Sequence, residues 1–375
     1  MIVQHFLKWI ETAKVAERSA AAGALARAYV FSDLAFEDRC AAEAALTLLL
    51  DDPSPKVRHA MAESLSLCHH APAQIISALA ADQPEVAALV LLRSPLLEDA
   101  DLVDRVAGGS PAVQSLIAKR PRISRAVAAA IAETGAVDAC LALLRNDGAE
   151  IAAISFRRLA ERHGADAALR EAMLADRRLP AEVQHILMVK LSEALQGSPF
   201  VKAMIGPERA ERVTREACLG ASVKLIEATP SEECPALVEH LRLRGEMTSS
   251  FLVRIVAHGK IDFFGAALVA LSGQRESRIR SLLADGRDVA LEALFRSAGL
   301  AEATHKVILS ALKAWREVAH GRRIAGTQEV SWLMLRALEK EGAATDGKLA
   351  ALISSIHLGA LRDNARSHAM AIQAA

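Results

Sequence analysis

Short apolar stretches recur along the chain with three- and four-residue steps, each closed by Asp or Asn and a Pro or Gly. One unit reads Leu48-Leu49-Leu50-Asp51-Asp52-Pro53, then Val57 to Ala62 and Leu65; another reads Leu79-Ala80-Ala81-Asp82-Gln83-Pro84, then Val86 to Leu89. Weaker copies follow at Val106 to Ala118, at Leu143 to Ala152 and at Met173 to Val183. The spacing is irregular, about 27 to 37 residues, in the range of stacked helical hairpins. In each unit a helix ends at the Asp or Asn, and the next starts near the Pro, where a missing N–H costs nothing. Asp before that start can accept from the free donors of the first turn. The steps Val57, Met61, Leu65 and Cys68 put one apolar stripe on the second helix, and such a hairpin must stack on a neighbour to bury it.

The same patterning predicts helices at Phe6 to Ala28 and Phe36 to Leu50, the first with a polar face fit for the outer surface of a terminal repeat. Gln196-Gly197-Ser198-Pro199 interrupts the pattern. The expected organisation is therefore helical repeats over 1–195, a helical region over 200–362 that continues or packs on them, and a flexible tail over 363–375. Beyond the break a long helix is expected from Pro207 to Ala228. Shorter ones follow at Ala236–Leu243, Ser249–His258, Asp262–Leu271, Glu276–Ala284, Val289–Ser297, Ala301–Ala319, Gln328–Glu341 and Gly347–Leu361.

Composition agrees with a helical chain: 52% of the residues are apolar but only 3% aromatic, and the stock is Ala, Leu and Val. Five scattered cysteines without a Cys-x-x-Cys pair argue against a disulfide framework or a structural zinc site. No apolar run approaches the roughly 20 residues that cross a bilayer, and the first residues lack signal-peptide character. These readings predict a cytoplasmic protein that does not insert into membranes.

Lys plus Arg and Asp plus Glu are each 45, so the net charge is zero. It is unevenly spread: Asp33 to Asp104 carries thirteen acids against Arg39, Lys56, Arg58 and Arg93. Downstream, Lys119, Arg120, Arg122 and Arg125 surround Pro121, and Arg157, Arg158, Arg162, Arg177 and Arg178 follow. Stacked repeats align equivalent positions, so Arg120, Arg122, Arg158 and Arg162 are the candidate interaction surface, a basic ridge for an acidic protein segment or a phosphate backbone. The competing reading is a solvated face neutralised by Glu150, Glu161, Asp166 and Glu171, and it is the stronger one.

Phosphate-binding glycine loops, the dinucleotide fingerprint and the nucleophile elbow are all missing. Glu-x-x-His occurs at Glu182–His185, Glu302–His305 and Glu317–His320, a spacing that di-iron bundles use, but without the further Glu such a site needs. His59, Cys68, His69 and His70 form the densest soft-ligand cluster, and the adjacent His69 and His70, ahead of Ala71-Pro72, fall where a loop is expected. No catalytic, cofactor-binding or metal-binding residue is therefore assigned, and no cofactor. Trp315 and Trp332 have apolar neighbours at helical spacing and read as packing residues rather than a base-stacking platform.

Two stretches carry resemblances. Leu48 to Leu67 resembles a HEAT-type repeat. Phe251-Leu252-Val253-Arg254-Ile255-Val256-Ala257-His258-Gly259-Lys260-Ile261-Asp262-Phe263-Phe264-Gly265-Ala266-Ala267-Leu268, continued by Arg278 to Gly286 and Leu291 to Leu300, resembles the alphaproteobacterial domain-of-unknown-function family 2336. The resemblance extends from the Phe6-Leu7-Lys8-Trp9 helix to about Leu312 and implies HEAT-like repeats; it carries no activity or catalytic residue. The expectation is an all-α, HEAT-like helical-hairpin solenoid with additional C-terminal helices. Its expected role is a non-catalytic scaffold or adaptor, bacterial and cytoplasmic, that binds a protein or peptide. The alternatives are a nucleic-acid-binding HEAT-like protein of DNA-glycosylase type, which the neutral charge disfavours, and a metal-dependent enzyme built on the Glu-x-x-His pairs.

Overall fold

A computed structural model describes residues 8–10, 12–340 and 347–374. The fold is all-α: among the described residues there is no β-strand, and one parallel bridge joins Ile123 to Ala149. The chain divides into two compact units, Met1–Leu179 and Pro180–Ala375.

The first unit contains α1 (Val15–Phe31), α2 (Phe36–Leu49), α3 (Pro55–Leu65), α4 (Ala73–Ala80), α5 (Pro84–Arg93) and α6 (Asp99–Gly108). It continues with α7 (Pro111–Ala118), α8 (Arg125–Thr134), α9 (Val137–Leu144), α10 (Ala153–His163) and α11 (Ala167–Ala175). Odd-numbered helices pack on odd from α1 to α11, and α6, α8 and α10 pack in a second row. The turns that the Asp-Pro pattern predicts are in place. Proline opens α3, α5 and α7 at its first position, and Asp52 and Asp82 accept from the backbone N–H of Ser54 and Gln83.

The expected helix from Phe6 to Ala28 is broken at Thr12–Lys14. Glu17 reaches back to the Lys14 N–H, a carboxylate that satisfies a donor ahead of α1 and fixes its start at Val15. Phe6 and Leu7 lie outside the described residues.

Arginines tie successive helices of this unit together. Arg18 pairs with Asp52 at 2.7 Å and Arg58 with Asp82 at 2.5 Å, while Arg58 also donates to the Asp52 carbonyl. Farther along, the arginines turn to bare helix ends. Arg105 reaches the Ala80 carbonyl, Arg120 those of Leu91 and Ser94, Arg162 those of Ala132 and Gly135, and Arg178 those of Leu144 and Ala149. The last carbonyls of a helix have no partner within it, so a guanidinium from the next layer satisfies them and fixes the step between layers.

The second unit contains α12 (Ala181–Gly197), α13 (Pro199–Ile205), α14 (Pro207–Ala228), α15 (Cys234–Leu243), α16 (Ser249–Ala257) and α17 (Ile261–Ser272). It ends with α18 (Glu276–Asp285), α19 (Asp288–Ser297), α20 (Glu302–Ala319), α21 (Thr327–Glu339) and α22 (Gly347–Ala374). The interruption at Gln196–Pro199 is the short corner between α12 and α13 inside this unit. Helices α15, α17 and α19 form a row, but α16 breaks the regularity by packing on α17, α20, α21 and α22. It is the centre of the core: Phe251, Leu252, Val253, Ile255, Val256 and Ala257 are all buried. Helix α22 runs through the expected tail to Ala374, although side chains 361–370 are all exposed.

Candidate functional site

An open-sided groove of about 890 Å³ in the second unit is lined from α15, α17, α18 and α20. Its floor is apolar: Val238, Ile261, Val269, Ile279, Leu283 and Leu312. Small residues widen it. Gly265 and Ala266 sit in the middle of α17, and a Cβ on Gly265 would come within 3.2 Å of Leu283 Cδ1, so the glycine lets α17 and α18 approach closely.

Two consecutive side chains of α20 hold the wall. Trp315 donates from Nε1 to the Val256 carbonyl at 2.8 Å, and Arg316 donates to the carbonyls of Leu282, Leu283 and Gly286. Each closes the C-terminus of another helix, α16 in the first case and α18 in the second, so the groove stands on capped, fixed elements. Gly259 completes the arrangement. It has φ +75°, and a Cβ there would lie 2.9 Å from the Trp315 ring.

Apart from Arg316, the charged lining residues Glu239, Asp262, Glu276 and Arg280 are exposed. Glu239 pairs with Arg242, and Glu276 with Arg280 at 2.7 Å. Asp262, exposed at the start of α17, has no ion-pair partner among the described residues. Cys234 lies in the wall, but its Sγ donates to the Pro230 carbonyl and burial pushes its thiol up, away from nucleophilic thiolate. Among the described residues no group of three or more His, Cys, Asp or Glu is placed to hold a metal ion.

The residues singled out in the sequence fall elsewhere. Arg120 is 8% exposed and Arg162 half-buried, both committed to the carbonyls named above. Arg158 pairs with Glu133 at 2.6 Å and with Glu161 at 3.5 Å. Of the four, Arg122 alone is fully exposed without an ion pair among the described residues. Three of the four guanidinium groups are thus engaged within the fold.

The three Glu-x-x-His pairs are dispersed as well. Buried His185 contacts Glu246 at 3.2 Å and His240 at 3.3 Å, buried His305 packs on Phe295 and meets the Leu300 carbonyl, and His320 meets the Arg316 carbonyl. Burial acts to raise the Glu246 carboxyl, but hydrogen bonds from His185 and Arg244 outweigh it and hold the group down to about 2. His69 and His70 lie in the expected turn, where the His70 N–H meets Cys68 Sγ. Trp315 packs as expected. Trp332 does not: it is 43% exposed, with the Arg336 guanidinium 4.9 Å over its ring.

Sequence reading missed the groove because its lining is drawn from helix residues as far apart as Cys234 and Ala319. The available signal was Gly265 within an apolar helix.

The family model for an uncharacterised protein conserved in bacteria, DUF2336, matches residues 86–346. The chain belongs to this family. The match covers more than two thirds of the sequence; it begins at α5 rather than at the first helix and runs past Leu312 to take in α21. The whole groove lies within it. No curated protein and no solved structure matches the chain. No helix among the described residues is long and apolar enough to cross a membrane.

Proposed function

We propose that this DUF2336 protein is a non-catalytic interaction module, and that the groove of its second unit receives an amphipathic helical segment of a partner protein. The observation that carries this reading is the partition of the groove: a continuous apolar floor between capped helices, with charge, apart from Arg316, only on exposed residues. An amphipathic helix buries an apolar stripe in such a channel and is read by residues at i, i+3, i+4 and i+7. The volume is at the upper end of small-molecule sites and one side is open, which suits a segment better than an enclosed molecule. Among the acids that line the groove, Glu239 and Glu276 are paired with Arg242 and Arg280, whereas Asp262 has no ion-pair partner among the described residues. The favoured segment therefore carries Lys or Arg beside its apolar stripe.

Catalysis has little support. Arg316 is committed to backbone carbonyls, Cys234 is held as a thiol, and the groove brings no nucleophile and base together. On the same reading the first unit is a HEAT-like stack, and the five free cysteines suit the cytoplasm. The nucleic-acid alternative has one supporting feature, the exposed Trp332, but Arg336 already covers a face of the ring and Arg323 is paired with Glu317 and Glu329.

Selection from a library of helical peptides tests the proposal. Peptides with an apolar stripe and basic flanks should be recovered, and Ala270→Trp at the groove edge should weaken them at least tenfold. Asp262→Lys should weaken the basic ones selectively, whereas Val289→Trp, on an exposed part of α19, should change nothing. Peptides that bind the Ala270→Trp variant as well as the wild type would remove the groove from consideration. A gel shift with duplex DNA at low salt should show no tight, salt-sensitive complex.

A further inference from the structure

A second cavity of the same unit, about 430 Å³, lies against α12, α14, α16 and α22 and is independent of the groove. Its body is apolar and uncharged, with Val189, Leu219, Phe251 and Leu352 beside the hydroxyls of Ser192, Thr214 and Ser222. Those three hydroxyls are already turned to carbonyls of α14, of Thr214, Ala210 and Cys218 respectively.

Arg254 differs from every other residue here. It is the only charged residue of α16, set among six buried apolar neighbours and itself half-buried on the cavity wall. Its guanidinium has five N–H donors, yet among the described residues none has a hydrogen-bond acceptor and no carboxylate is within ion-pair distance. The other arginines drawn into this fold end on a carboxylate or on helix-end carbonyls, as Arg120, Arg162, Arg178 and Arg316 do. The opposing charge that acts on it is that of exposed Glu216, which forms no ion pair with it. Burial disfavours the charge and lowers the Arg254 pKa.

The cavity's own carboxylates are occupied or peripheral. Glu211 pairs with Arg215, and Glu246 binds Arg244 at 2.6 Å and His185 at 3.2 Å through its two oxygens. Glu193 is exposed at the mouth. Helix α16 also opens at the cavity with Thr248 and Ser250, so its positive end adds to the same sign of potential.

We propose that this cavity is a binding site for a small organic anion, whose oxyanion head pairs with Arg254 and whose apolar body lies against Val189, Leu219, Phe251 and Leu352. A half-buried guanidinium without a protein partner costs some stability, and a bound oxyanion would recover it. Planar, two-pronged donation favours a carboxylate or phosphoryl group over a monatomic anion.

The test is calorimetric titration and thermal unfolding of the full chain with acetate, butyrate, hexanoate, free α-amino acids and inorganic phosphate. At least one organic anion should bind and raise the melting temperature in a dose-dependent way. Carboxylates that tighten with chain length identify a carboxylate ligand, whereas phosphate as the best head group identifies a phosphoryl compound. Arg254→Met should weaken binding at least tenfold while leaving the melting temperature of the ligand-free protein unchanged or higher. Three results overturn the proposal: no anion of the series binds, binding survives in Arg254→Met, or that variant melts markedly lower without ligand. The last result would make Arg254 a structural residue.

Discussion

Gly259 shows what one position can hold. The backbone turns out of α16 with φ +75°, which costs an L-residue with a Cβ about 1–2 kcal/mol. The missing side chain also leaves room for the Trp315 ring, 2.9 Å from where a Cβ would sit. Gly259→Ala should therefore destabilise the second unit by roughly 1–3 kcal/mol, read in urea unfolding. The tryptophan emission should shift to the red as the ring is displaced and its indole N–H leaves the Val256 carbonyl. Full stability and unshifted emission would show that the loop absorbs the change. His258-Gly259 stood in the family-like stretch as a bare dipeptide; its reason lies 56 positions away in Trp315, and no local pattern reveals a contact of that range. Arg254 was legible in another sense. A lone charge in Phe251 to Ala257 is visible in the sequence, but only the structure shows that nothing answers it.

At the scale of the element, the helices were legible and their ties were not. Pro207–Ala228 starts and stops at the positions the pattern predicts, because proline, helix period and the closing Thr229-Pro230 all act locally. The arginines divide differently. Arg120 and Arg122 read alike in the sequence, two bases around Pro121, yet one is buried against the end of α5 and the other is in solvent. A helix-capping guanidinium is specified by its partner carbonyls some 30 positions upstream, and carbonyls carry no residue identity to read. Arg120→Ala should leave the Leu91 and Ser94 carbonyls without donors and cost about 2 kcal/mol, measured as a lowered urea midpoint. Arg122→Ala should change stability by less than about 0.5 kcal/mol. Equal effects from the two would contradict the capping role.

Across the whole molecule, each unit has its own core and its own acid-sensitive ties, and acid titration can address them separately. In the first unit Arg58 lowers Asp82; burial acts to raise Asp52 and Asp176, but Arg18 and Arg178 pull them below the usual carboxylate range. In the second, Glu246 stands at about 2 against an ordinary 4.5. A carboxyl whose folded pKa is depressed contributes stability above its unfolded pKa, and that contribution is lost as pH falls toward the folded value. Both units should therefore weaken between about pH 5 and pH 2. Glu246→Gln removes the tie between α12 and the turn before α16, and its consequences should be confined to the second unit. At pH 7 that unit should unfold at lower urea than in the wild type, and the gap should narrow as pH approaches 2, where wild-type Glu246 is also becoming protonated. With Trp9 replaced by Phe, tryptophan emission reports this transition, since Trp315 and Trp332 both belong to the second unit, while hydrogen exchange of α3 and α5 follows the first. A constant gap from pH 7 to pH 2 would mean that the glutamate acts through its shape and not through its charge.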